Sequence, residues 1–158
     1  MEIYELADVA RIVGIEKSRV KNWTLGRPFT VKPSLRSSFG TGSRNLFSRQ
    51  DLYCFALVQR LIEADAPVAA IQRMLEKLRP DLPEDAFWKE QKWIIISRKD
   101  RDRSYDVNYG AEYPASSTVQ PEEHEFLCHY AVNLKSLAHE VANRIDQFMH
   151  QLGVREDE

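Results

Sequence analysis

The stretch from Glu16 to Leu25 constrains this chain more than any other. It follows the turn Val13-Gly14-Ile15 and reads as the second helix of a helix-turn-helix. The first helix runs from Glu5 to Ile12, with Leu6, Val9, Ala10 and Val13 at the 3-4 spacing of one buried face. Gly14 suits the exit from that helix, because it takes a left-handed backbone without a Cβ penalty. On the second helix Val20 and Trp23 fall three apart and point inward. Lys17, Ser18, Arg19, Lys21 and Asn22 then face outward. Cations that reach phosphate or guanine, beside an amide that reaches adenine, suit the major groove of a DNA duplex. A short polar-faced helix after a glycine turn also occurs in any all-α protein, so the rest of the chain must decide.

Charge is sorted along the chain. Residues 1–79 hold 13 Lys and Arg against 8 Asp and Glu, a net of +5, whereas residues 80–158 carry a net of −7. The segment 16–49 concentrates eight cations (Lys17, Arg19, Lys21, Arg27, Lys32, Arg36, Arg44 and Arg49) against the single acid Glu16. Such sorting points to one polyanion-binding half and one half with another task. A solvated basic surface is the plainer reading of scattered cations, but these coincide with the helix-turn-helix.

After Leu25, Gly26-Arg27-Pro28 closes the helix, and Pro33, Ser34, Ser37, Ser38, Gly40, Gly42 and Ser43 make a loop-rich stretch. The apolar patches Phe29-Thr30-Val31 and Asn45-Leu46-Phe47 are expected to pair as two strands of a wing. Arg36 near its tip and Arg44 on its return would supply phosphate contacts. Ser48 is then a helix N-cap with Asp51 as the acidic member of a capping box. That helix reaches about Asp65 and buries Leu52, Phe55, Ala56, Leu57, Val58, Leu61 and Ile62. A further helix opens at Pro67 and runs to Leu78, with Val68, Ile71, Met74, Leu75 and Leu78 on one face.

This order of parts resembles the MerR-type winged helix-turn-helix transcriptional regulators over about residues 3–79. The likeness rests on Leu6-Ala7-Asp8-Val9-Ala10, Gly14-Ile15 and Arg19-Val20-Lys21-Asn22-Trp23. It extends through the wing exit Gly42-Ser43-Arg44-Asn45-Leu46-Phe47-Ser48-Arg49-Gln50-Asp51-Leu52, and on to Ile71-Gln72-Arg73-Met74-Leu75. The wing-exit string discriminates best, with Phe47 in the aromatic position. The resemblance implies that Arg44 contacts the phosphate backbone. Lys21 stands in for the recognition-helix arginine, keeping charge but losing the planar fork. Asn22 occupies a position where an aromatic is common, and Trp23 keeps the second aromatic. The segment 27–41 is longer than a typical wing. The family's habit of bending or untwisting promoter DNA is implied by analogy.

The second half differs from the single long dimerising helix of the best-known members. Arg79-Pro80-Asp81-Leu82-Pro83 stops the preceding helix, and Pro83 starts a short one through Ala86, Phe87 and Trp88. Trp93 to Ser97 reads as a buried strand. Lys99 to Arg103 is a charged turn, and Tyr105, Val107 and Tyr109 alternate with Asp106 and Asn108 in a second strand. Residues 110–121 form a loop, and Phe126, Cys128, Tyr130 and Val132 mark a third strand, completing an antiparallel meander. From an Asn133 cap, Leu134, Leu137, Ala138, Val141, Ile145, Phe148, Met149 and Leu152 form a helical stripe. It is expected to cover the sheet or to pair with its twin.

The expected fold is mostly α with α+β: an N-terminal winged helix-turn-helix, then a small three-stranded antiparallel sheet with a C-terminal helix. The division is 1–79 for DNA binding and 80–158 for dimerisation, with an effector, small molecule or protein, as its second candidate ligand. The DNA-binding residues are Lys17, Ser18, Arg19, Lys21, Asn22, Arg27, Arg36 and Arg44. The partners are double-stranded DNA and a second copy of the chain. An excisionase-like architectural factor, or an antitoxin or adaptor whose second domain grips another protein, is the alternative.

No enzyme chemistry stands out. No glycine-rich phosphate cradle or nucleophile–base pair is present, and Glu84-Asp85 and Glu122-Glu123 read as loop charge. His124, Cys128 and His129 fall short of a zinc set, so neither metal nor cofactor is expected. Trp93, Tyr105, Tyr109, Phe126 and Tyr130 would form the sheet's own core or line a small apolar pocket. Two cysteines, an acidic start at Met1 to Glu5 and no apolar run near the roughly 20 residues of a bilayer span fit a cytoplasmic location with no membrane contact.

Overall fold

In the computed structural model, residues 2–37, 44–78, 93–99, 104–110 and 126–156 are described. They form α1 (Leu6–Val13), α2 (Lys17–Thr24), α3 (Arg49–Glu63), α4 (Val68–Leu78), β1 (Trp93–Lys99), β2 (Tyr105–Gly110), β3 (Phe126–Asn133) and α5 (Leu134–Glu156). The short helix expected after Pro83, the loop 111–121 and the charged turn's Asp100, Arg101, Asp102 and Arg103 lie outside the described residues. So does His124. The chain divides into two compact units: Met1–Ala56 with Leu137–Glu158, and Leu57–Ser136.

In the first unit, α1 and α2 meet across the Gly14 turn. Gly14 has φ 77° and its N–H donates to the Ala10 carbonyl, ending α1 with the left-handed cap that its sequence position predicts. Val9, Ile12, Val13, Ile15, Val20 and Trp23 are all buried. Asp8 Oδ2 accepts from the Glu5 N–H at 2.8 Å, satisfying one donor at the start of α1.

The wing is built differently from the expected pairing of 29–31 with 45–47. Phe29 and Val31 turn inward instead. Phe29 packs on Trp23 at 5.3 Å between ring centroids, and the Val31 N–H donates to the Trp23 carbonyl at 2.9 Å. The bridges actually formed are Arg36 with Leu46, and Phe47 with Tyr4. Phe29, Val31 and Phe47 are each at most 3% exposed, and Phe29 covers the Trp23 ring instead of pairing with the returning strand.

The Ser48–Asp51 capping box forms, with Asp51 Oδ2 accepting from the Ser48 N–H at 2.8 Å and Ser48 Oγ accepting from the Asp51 N–H at 3.3 Å. It also reaches further than the sequence suggests. The same oxygen accepts the Ser34 N–H at 2.9 Å and the Ser34 hydroxyl at 2.6 Å. A fully buried carboxylate thus joins the chain entering the wing to the helix leaving it. A second tie runs from Glu2, whose carboxylate accepts Arg49 Nε at 2.7 Å, Arg49 Nη2 at 2.8 Å and the Tyr4 hydroxyl at 2.9 Å. The Arg49 guanidinium holds Glu2 below its usual carboxylate value of 4.5, with partial desolvation opposing it. Burial, with the Glu2 carboxylate second, pushes the Tyr4 hydroxyl upward. Because Glu2 is depressed in the folded state, this tie is complete above the ordinary glutamate value and fades as pH falls through the lowered one.

Within the first unit α5 lies along α1. Arg144 Nη1 donates to the Val13 carbonyl at 2.9 Å, one of the acceptors left open where α1 ends. Arg144 also pairs with Glu140 at 2.6 Å, and Arg11 sits over the Phe148 ring while donating to Gln151 at 3.0 Å. The stripe Leu137, Ala138, Val141, Ile145 and Phe148 is buried. The Asn133 cap is present, accepting the Ser136 N–H at 3.0 Å, while the helix continues past Gly153 to Glu156.

In the second unit the sheet order is β2-β1-β3, all antiparallel, so the third strand returns to the free edge of β1 and not to β2. The meander is corrected on this point. Trp93-Ile94-Ile95-Ile96 is apolar on both faces and suits the central position. Ile94 and Ile96 stand opposite Tyr109 and Val107 on one side and Val132 and Tyr130 on the other. Ile94, Ile96, Tyr105 and Val107 are buried whereas Asp106 and Asn108 are exposed, as the alternation in β2 predicts. The helix packed against β2 is α4, whose Arg73 Nε donates to the Tyr105 carbonyl at 3.4 Å, while Ala70, Ile71, Met74, Leu75 and Leu78 of α4 are buried.

Asp51→Ala should lower unfolding free energy by about 3 kcal/mol, since it strips acceptors from several donors in a buried site. Ser34→Ala should cost only about 1 kcal/mol. Urea denaturation of the two variants checks the ranking.

Candidate nucleic-acid interface

Val20 and Trp23 set the orientation of α2. Val20 is fully buried, and Trp23 sits between Phe29 and Phe55, stacked on the latter at 6.2 Å. With the helix fixed on that side, about 100° per residue places Ser18, Lys21 and Asn22 opposite the core, with Lys17 and Arg19 on the two flanks. All five are exposed. Ser18 Oγ lies 3.4 Å from a Glu16 oxygen. Arg19 leans over its own helix, its guanidinium 6.0 Å from the Trp23 ring centroid. Thr24, whose hydroxyl donates to the Val20 carbonyl at 2.8 Å, turns back on the helix.

The remaining sequence-predicted residues are exposed too. Arg27 follows the Gly26 turn, where φ is 84°, and its N–H donates to the Asn22 carbonyl at 2.9 Å. Arg36 and Arg44 are brought together at the wing, with Arg36 Nε donating to the Arg44 carbonyl at 3.1 Å. The wing residues 38–43 lie outside the described residues.

One participant escaped the sequence reading. Glu5, at the entry of α1, receives Arg44 Nη1 on both carboxylate oxygens, at 2.8 and 3.1 Å. The pair is open to solvent, with the Arg44 side chain 72% and the Glu5 side chain 49% exposed. Pairs this exposed are worth at most about 1 kcal/mol, so Arg44 is held but can be drawn to a competing anion. The positions are 39 apart in sequence and no local pattern links them. Arg49, counted with the basic segment, is engaged by Glu2 instead.

Residues 4–78 match the MerR HTH family of regulatory proteins. They form a MerR-type helix-turn-helix domain. The matched segment spans the elements just described, from the α1–α2 turn to the end of α4. No curated protein matches the chain.

Away from the outer face of α2 and the wing, the described residues offer little ligand chemistry. No cluster of three or more metal-ligating side chains occurs among them, and no described helix is long and apolar enough to cross a membrane. A groove of about 250 Å³ between α4 and β2 is lined by Ala69, Gln72, Arg73, Glu76, Ser104 and Tyr105. It is small and open, and Arg73 is already engaged by the Tyr105 carbonyl at 3.4 Å and by Glu76 at 3.7 Å.

Arg44→Ala should weaken binding to every duplex alike and flatten the slope of log affinity against log salt by about one unit. Glu5→Gln should tighten binding about threefold by releasing Arg44 and removing a carboxylate from the phosphate path. Titration of labelled duplex at several salt concentrations checks both, and a Glu5→Gln variant that binds more weakly would make Glu5 a support for Arg44, not a competitor.

Proposed function

We propose that this chain is a sequence-specific transcription regulator that binds duplex DNA as a homodimer, entering the major groove with α2 and holding the flanking backbone with the wing. The observation that carries this is the outer face of α2. Lys17, Ser18, Lys21 and Asn22 are exposed on a helix anchored from behind by Val20 and Trp23, inside a MerR-type domain. In this reading Lys17, Arg19 and Lys21 meet phosphate or guanine, Asn22 reads adenine, Ser18 adds an adaptable hydroxyl, and Arg27, Arg36 and Arg44 position the protein on the backbone.

Residues 1–79 are the DNA-reading part in this proposal, and 80–158 supply dimerisation and the response to an effector. One helix and one wing read few base pairs, and a two-fold arrangement doubles the site. The exposed Met149 and Leu152, three apart on α5, support a self-association surface there: they are 53% and 37% exposed beside a stripe that is otherwise buried.

Selection of bound DNA from a random pool, followed by sedimentation of the free and bound chain, tests the whole reading. The expected result is a pseudo-palindromic site bound by two copies, with self-association lost in Met149→Glu/Leu152→Glu. A site without symmetry, bound by a single copy that holds another protein instead, would favour an adaptor.

A further inference from the structure

The outer face of α2 has one member that the polar contacts do not use. Leu25 directly follows the helix, but its backbone is still helical (φ −85°, ψ −1°), and its N–H donates to the carbonyls of Lys21 at 3.0 Å and Asn22 at 3.1 Å. Its side chain therefore continues the row of Asn22, Lys21 and Ser18, three, four and seven residues back. It is 57% exposed, the highest value among the large hydrophobic side chains described. The apolar core of the domain lies on the opposite side of the helix, under Trp23 and Phe29, and Leu25 takes no place in it. Gly26, at φ 84°, then turns the chain away, so Leu25 ends the row. An exposed leucine by itself is ordinary. This one stands at the end of the face that meets the bases, beside a cation and an amide.

The major groove presents one apolar group, the C5 methyl of thymine. Resting on the DNA-binding reading above, we infer that Leu25 is a specificity-determining residue that packs on a thymine methyl next to the base pair contacted by Asn22. The adenine edge suits Asn22, and the thymine methyls of that pair and its neighbours project into the same groove. Leucine cannot hydrogen-bond, so a cytosine, which lacks the methyl and presents an amino group, leaves it facing a polar edge.

The experiment uses the full chain and its selected duplex, replacing each thymine in turn by uracil, which removes the methyl and keeps every hydrogen-bonding group. The expected result is one position per half-site where uracil weakens binding about fourfold, the effect of exposing one methyl-sized group. Leu25→Ala should bind the thymine duplex more weakly by a similar factor and be indifferent to uracil there, with an unchanged melting temperature because the side chain is exposed. Methyl sensitivity that persists in Leu25→Ala, or a selected site with no uracil-sensitive position, overturns this assignment while leaving the DNA-binding reading intact. Failure to select any sequence overturns both.

Discussion

The N-terminal unit depends on the carboxylate of Asp51. A buried charge is tolerated only when donors replace the water it has lost. Here the backbone N–H groups and hydroxyls of Ser34 and Ser48 converge on one Asp51 oxygen. The arrangement does more than cap α3. It fixes where the chain enters and leaves the wing relative to the helix that carries the core residues Leu52, Phe55 and Ala56. The Tyr4–Phe47 bridge then ties that wing base to the start of α1, and the Glu5–Arg44 pair lies nearby, one residue after Tyr4 and three before Phe47. An arginine on a long, glycine- and serine-rich segment is thereby given a defined place.

The basic segment is consequently not uniform in what it offers a polyanion. Arg49 is engaged bidentately by Glu2 and belongs to the fold. Arg44 is shared with Glu5, in a pair exposed enough for a phosphate to compete. Lys17 and Lys21 stand on a helix whose inner face is locked by Val20 and Trp23, so their direction is set although their tips are not. In the proposed function, net charge in this segment steers a duplex toward the protein, and the polar and apolar residues between the cations read it.

Much of this was legible in the chain itself. The Gly14 turn, the buried pair Val20 and Trp23, the Ser48–Asp51 box and the Asn133 cap are local patterns, and each formed as its spacing required. What escaped was non-local. Phe29 and Val31 look as strand-like as Asn45 and Leu46 until Trp23 needs covering. The Ser34–Asp51 and Glu5–Arg44 contacts span 17 and 39 residues with no periodicity to betray them. The stripe on α5 announced burial but not against what, because a buried apolar face looks the same whether it meets a sheet, a twin or α1. The tie from Arg144 to the Val13 carbonyl, 131 residues apart, became visible only once the fold was assembled.

The central claim is that α2 presents the surface that faces duplex DNA. The most direct measurement is amide chemical-shift mapping of the isotope-labelled full chain as its selected duplex is added. The account predicts that the largest changes fall on Lys17 to Leu25, with a second group at Arg36 and Arg44, while α4 and β2 stay quiet. Changes gathered on α4 and β2 with α2 silent would contradict it.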